Sequence, residues 1–99
     1  MNKRILLIGG GGHCKSVLDS LLELNEYAEI GIIDKKENLG KSVMGVPVVG
    51  CDDNLPALYS NGYKYAFVTV GSIDNLSLRI KLFDILSVIG YVIPVIMLV

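Results

Sequence analysis

Charge is scarce in this 99-residue chain. Asp, Glu, Lys and Arg together make 19%, and nine basic against ten acidic residues leave a formal net charge of −1. No basic block compensates. Binding along a nucleic-acid backbone requires an excess of Lys and Arg, so nucleic acid is excluded as the main partner. Metal ligands are equally few. His13 is the single histidine, and Cys14 and Cys51 form no CxxC pair, so neither a zinc site nor a disulfide scaffold is expected. Two scattered cysteines suit a reducing cytoplasm. Long hydrophobic runs are missing as well. The run Ile5–Ile8 stops at Gly9, too short for the core of a signal peptide. The uncharged stretch Ile85–Val99 is shorter than the roughly 18–20 residues of a spanning helix, and Gly90 and Pro94 interrupt it. No membrane segment or membrane partner is expected. What remains is apolar: 52% of residues are hydrophobic and the mean hydropathy is +0.54, which excludes disorder. The length allows one domain over residues 1–99, burying roughly 60–65% of the surface its unfolded form exposes.

Strand and helix signals alternate along the chain. Arg4–Ile8 reads as a buried strand ending at Gly9-Gly10-Gly11-Gly12, which must be loop because glycine loses too much backbone freedom in regular structure. From Cys14 to Leu24 the apolar residues Val17, Leu18, Leu21 and Leu22 recur at helical spacing. Lys15, Asp19 and Glu23 fall opposite, and Asn25 is a terminator. Glu29–Asp34 is a second strand and Met44–Val49 a third, placed at an edge because Pro47 cannot donate to a ladder. Asp52 or Asp53 can cap a short helix through Ser60, with Pro56 in its first turn and Asn61-Gly62 at its end. Tyr65–Val70 is a fourth strand. A helix over Asn75–Ile89 presents Leu76, Ile80, Phe83, Leu86 and Ile89 as its apolar stripe, with Gly90 at its end, and Tyr91–Ile96 is a fifth strand. This alternation implies an α/β fold: a small doubly wound parallel sheet of about five strands, in the order 3-2-1-4-5, with its switch point between strands one and four.

The densest chemical signal is strand, four glycines, helix. Such a turn presents bare N–H groups at a helix N-terminus, where the helix dipole favours an anion and a diphosphate can approach the backbone closely. The spacing Gly9-x-Gly11-x-x-Cys14 lacks the third glycine of a dinucleotide fingerprint. Asp34 follows Gly12 by 22 residues, near the roughly 20 expected of a ribose-binding carboxylate at a strand end. The other reading is a turn that only packs helix against strand, with Asp34-Lys35-Lys36 as solvated charges. His13 at the loop mouth can donate to a phosphate or sugar, or merely cap the helix start. Cys14 either has its thiol activated at the helix start or fills a small packing position, and Cys51 carries no functional argument. Gly71, beyond strand four, can complete the rim of a pocket. Arg79 either reaches an anion or sits on an exposed face.

These residues carry a family resemblance. Ile8-Gly9-Gly10-Gly11-Gly12-His13 leads into a helix with Val17-Leu18-Asp19. It is joined by Ile30-Gly31-Ile32-Ile33-Asp34, by Gly45-Val46-Pro47-Val48-Val49-Gly50, and by Val70-Gly71 with Asn75 and Arg79. Together they resemble the N-terminal domain of the bacterial sugar O- and N-acetyltransferases of the sialic-acid and bacillosamine type, over essentially the whole chain. That family joins a small Rossmann-like nucleotide-sugar domain to a C-terminal left-handed β-helix of hexapeptide repeats. The resemblance implies a UDP- or CMP-linked amino sugar as ligand. Gly9, Gly11, Gly12 and His13 would surround its phosphates, Asp34 and Lys35 would lie near the nucleoside, and Arg79 would sit in the helix after strand four. Cys14 stands where the family usually has a small residue such as alanine.

The family's acetyl-CoA site and catalytic histidine belong to the β-helix, expected to be absent here. The chain alone is therefore expected to bind the sugar nucleotide, supply no catalytic residue and transfer no acetyl group. The apolar segment Tyr91–Val99 is expected to drive self-association. Two other functions compete: an NAD(P)-binding fragment of an oxidoreductase, which the glycine loop and Asp34 permit, and a non-catalytic ligand-binding or interaction module.

Overall fold

The computed structural model describes residues 3–9, 12–69 and 76–94. Its elements are β1 (Arg4–Ile8), α1 (Gly12–Leu24), β2 (Glu29–Ile33), β3 (Ser42–Val43), β4 (Val46–Gly50), α2 (Leu55–Ser60), β5 (Tyr65–Val68) and α3 (Leu76–Ile89). They build one sheet in the order β3-β4-β2-β1-β5. β4, β2, β1 and β5 run parallel, and β3 lies antiparallel on β4. The doubly wound α/β arrangement is present, with winding reversed between β1 and β5. Among the described residues no helix is long and apolar enough to cross a membrane.

Strand pleating divides the interior into two cores. Successive β1 side chains point to opposite faces. Ile5 and Leu7 pack with Cys14, Val17, Leu18 and Leu21 of α1, while Leu6 and Ile8 pack with Leu55 of α2 and Leu82 and Leu86 of α3. Burial on both faces is why β1 is a continuous apolar run. α1 ends as its sequence suggests, with Asn25 in the left-handed region at φ 54° and its N–H donated to the Leu21 carbonyl.

Several elements differ from the sequence reading. The third strand is broken at Met44-Gly45, both at positive φ, into a β-hairpin of β3 and β4. Alternating apolar residues hid a turn of the type whose backbone twist suits a two-residue hairpin. β3 takes the edge expected for the Pro47 strand, and β4 pairs with β2 from Val48 onward, just past the proline that has no N–H. Neither Asp52 nor Asp53 caps α2. A 3-10 turn over Asp52–Asn54 precedes it, and the Asn54 side chain accepts the Cys51 N–H at 2.9 Å.

Leu22 and Ile80, expected in the core, are exposed. The buried stripe of α3 runs through Leu82 and Leu86, flanked by Phe83, Ile85 and Ile89. The fourth strand ends at Val68. Within the described residues the fifth strand reduces to a parallel bridge between Tyr65 and Val92. Tyr91 anchors that segment: its hydroxyl donates to the Leu55 carbonyl at 2.6 Å, and its ring meets Tyr59 edge-on at 5.1 Å. The apolar tail 95–99, with its expected role in self-association, lies outside the described residues, as does Val70.

Candidate functional site

Parallel strands converge their carboxyl ends on one edge of the sheet, and helices turn away from that edge on both sides. A crevice forms where the winding reverses. Here the carboxyl ends of β1, β2 and β4 border a cleft of about 470 Å³, within the range that holds a small organic ligand. Ile8 and Gly9 form its floor with Ile33, and Leu82 of α3 closes one side. Asp34, Lys35 and Lys36 follow β2, and Cys51, Asp52 and Asp53 follow β4.

The floor is held from two directions. Gly9 has φ 111°, a conformation open to glycine and strained for other residues. Its N–H donates to the Ile33 carbonyl at 2.7 Å, tying it to β2. Its carbonyl accepts the Thr69 hydroxyl at 2.7 Å, and the same hydroxyl reaches the Ile8 carbonyl at 2.9 Å. Asp34 continues β2, its N–H donated to the Gly50 carbonyl. Its carboxylate organises the loop that follows: one oxygen accepts the Lys35 N–H at 2.8 Å and the other the Asn38 side-chain amide at 3.1 Å. Each carboxylate oxygen has about two acceptor positions, so each retains one for a ligand. Three carboxylates face two ammonium groups around the cleft. That set suits hydroxyl and N–H donors, such as those of a ribose or a base edge.

Gly9, Asp34 and Lys35 of the expected site line this cleft. Gly12 opens α1, and His13 follows it on the same first turn. Gly11, Gly71 and the side chain of His13 lie outside the described residues. Arg79 is half-buried, one turn before Leu82 on α3, and its Nε is buried with no hydrogen-bond partner among the described residues. It does not sit on an exposed face, and it is not among the described residues that line the cleft. Cys14 is a packing residue in the α1 core. Burial pushes its thiol up, against an opposing hydrogen bond with Thr69, and the Asp34 charge adds to the rise. Of the two readings of Cys14, its position agrees with the packing one.

The β4 side of the cleft, with Cys51, Asp52 and Asp53, is absent from the sequence reading. A charged residue just past a strand's carboxyl end is a signal that Gly50-Cys51-Asp52 shares with Asp34. Treating the aspartates as helix caps hid it. Leu82 has no polar signature that could have marked it.

A family model described as the PglD N-terminal domain matches residues 4–86. A mutant of perosamine N-acetyltransferase from Caulobacter crescentus, solved in complex with CoA and GDP-perosamine, is 40% identical, with a TM-score of 0.74, over 88% of this chain and 39% of its own. The acetyltransferase domain of PglB from Neisseria gonorrhoeae is 31% identical, with a TM-score of 0.84, over 98% of this chain and 45% of its own. The chain thus spans about two-fifths of the length of these relatives. UDP-D-quinovosamine 4-dehydrogenase from Vibrio fischeri, at 14% identity and a TM-score of 0.67 over 94% of this chain and 76% of its own, shares the fold alone. Comparison with curated protein sequences gives no match.

Proposed function

The chain belongs to the PglD N-terminal domain family, and from that premise we propose that it binds a nucleoside-diphosphate-linked amino sugar for a bacterial sugar N-acetyltransferase. One observation carries this reading: Gly9, at positive φ, and Asp34, with acceptor positions to spare, meet in one cleft at the carboxyl edge of the sheet. The glycine turn and the first turn of α1 receive the diphosphate. Asp34 accepts ribose or base donors, and Lys35 offers a donor to the base. The described residues are assigned binding and orientation, and acetyl-CoA, the acyl donor of the reaction in this reading, is assigned no residue among them. A reducing cytoplasm is the compartment this reading takes, in keeping with two free cysteines.

The oxidoreductase alternative has only a 14%-identical neighbour behind it and is not favoured. A thermal-shift panel of UDP-, CMP- and GDP-sugars, NAD, NADP and CoA separates the readings. A ligand at 100 times its dissociation constant adds about 2.7 kcal/mol of stability. Stabilisation by a nucleotide sugar and none by NAD or NADP is the expected result; the reverse pattern overturns the proposal. Gly11→Val checks the phosphate end, since a branched side chain there obstructs close approach to the backbone. Unchanged nucleotide-sugar affinity in that variant by calorimetry would remove the glycine turn from the site.

A further inference from the structure

Thr69 is a buried polar residue in a neighbourhood of apolar ones, at the end of β5 where the winding of the sheet reverses. Its backbone N–H and its hydroxyl both donate to the segment that leaves β1, and its side chain also meets the Cys14 thiol of α1. The Thr69 N–H donates to the Ile8 carbonyl at 3.0 Å. The side-chain hydroxyl shares its hydrogen between the Ile8 carbonyl at 2.9 Å and the Gly9 carbonyl at 2.7 Å. Gly9 is thereby held at both ends, its N–H on β2 and its carbonyl on Thr69.

Two consequences follow for a bound anion. A carbonyl oxygen facing a diphosphate repels it, whereas an N–H attracts it. Ile8 and Gly9 line the cleft while Thr69 stands outside the lining, so the hydroxyl draws carbonyl lone pairs away from the ligand. The same bonds hold the left-handed conformation of Gly9 at the point where the glycine turn begins. A valine has nearly the same shape as threonine and offers neither effect.

We propose that Thr69 is a positioning residue for diphosphate recognition: its hydroxyl sequesters the Ile8 and Gly9 carbonyls and so fixes Gly9 in a conformation that lets the phosphates of the nucleotide approach this end of the cleft. This rests on the nucleotide-sugar reading above and adds a residue that touches no ligand.

The test uses the intact chain and two probes, a nucleoside diphosphate and its parent nucleoside: UDP with uridine, or GDP with guanosine, whichever pair the wild-type chain binds. Thr69→Val and Thr69→Ala remove the hydroxyl, and Thr69→Ser keeps it. Calorimetry or NMR titration is expected to show diphosphate affinity reduced about 5–30-fold in Thr69→Val and Thr69→Ala. Nucleoside affinity stays within about twofold, since the hydroxyl acts only on the phosphate end, and Thr69→Ser restores wild-type behaviour. Should Thr69→Val fold poorly, the comparison of Thr69→Ala with Thr69→Ser decides. Unchanged diphosphate affinity without the hydroxyl overturns the proposal. So does an equal loss for diphosphate and nucleoside, which marks a general structural role. A wild-type chain that binds neither probe pair instead overturns the nucleotide reading on which the proposal stands.

Discussion

Asp34 has two tasks of different kinds. Its carboxylate ties the loop after β2 through the Lys35 N–H and the Asn38 amide, and its remaining acceptor positions face a cleft. Removing a carboxylate that accepts ligand donors leaves those donors unpaired, at a cost of about 1–3 kcal/mol. Asp34→Ala is therefore expected to weaken nucleotide binding about 5–150-fold. Calorimetry on the variant, with its melting temperature alongside, checks this; a change below twofold returns Asp34 to a loop-forming role alone. The cysteines make a second residue-scale contrast. Cys14 is buried in the α1 core with its thiol shifted up, whereas Cys51 lies half-buried on the cleft wall. Iodoacetamide at mildly alkaline pH is expected to label Cys51 first and Cys14 only on unfolding, as the thiolate is the nucleophile. Mass spectrometry of the labelled chain reads the order, and early labelling of Cys14 contradicts its assignment to the core.

Elements were legible in the sequence where periodicity and punctuation agreed. β1, β2, α1 with its Asn25 terminator, and the Asn61-Gly62 end of α2 all show both. Met44–Val49 has the alternation of a strand, and only the positive φ of Met44 and Gly45 exposes the hairpin turn inside it. Met44 is a poor residue for that turn, and the glycine beside it gave the one hint. Met44→Asn, which tolerates the left-handed region better, is expected to stabilise the fold by about 0.5–1 kcal/mol. Urea denaturation with an unchanged slope measures it, and no gain means the turn strain is absent. α3 shows a different limit: nine of its fourteen positions are apolar, so more than one stripe fits the helical period. The choice of Leu82 and Leu86 over Ile80 comes from where the helix meets the sheet. The candidate site divides in the same way. Gly9 and Asp34 announce themselves by type and spacing, whereas Cys51, Asp52 and Thr69 acquire meaning only when β4 and β5 are set beside β1 and β2.

At the scale of the whole molecule, two buried tyrosines link the fold to alkaline pH. Burial raises Tyr63 to about 12, reinforced by its hydrogen bond to Glu29, and burial likewise raises Tyr91 to about 12. Both hydroxyls ionise near 10 in the unfolded chain. The folded state thus holds these protons more firmly. The stability they contribute is complete below about pH 10 and is lost as pH rises through about 12. Thermal melts across this window are expected to show a falling midpoint, with a smaller fall in Tyr91→Phe. A wild-type midpoint that stays level to pH 12 contradicts the assignment. The sheet itself has a longer reach. β1, like β2, β4 and β5, sends alternate side chains into two cores on opposite faces of the sheet. The helix that opens at the glycine turn belongs to one of them, and Leu82, on the wall of the cleft, belongs to the other. Substitutions without shared partners add to within about 0.3–0.5 kcal/mol. A lineage can therefore retailor Leu82 and the wall around it while inheriting the packing behind α1 unchanged, and drift on one side of the partition leaves no debt on the other.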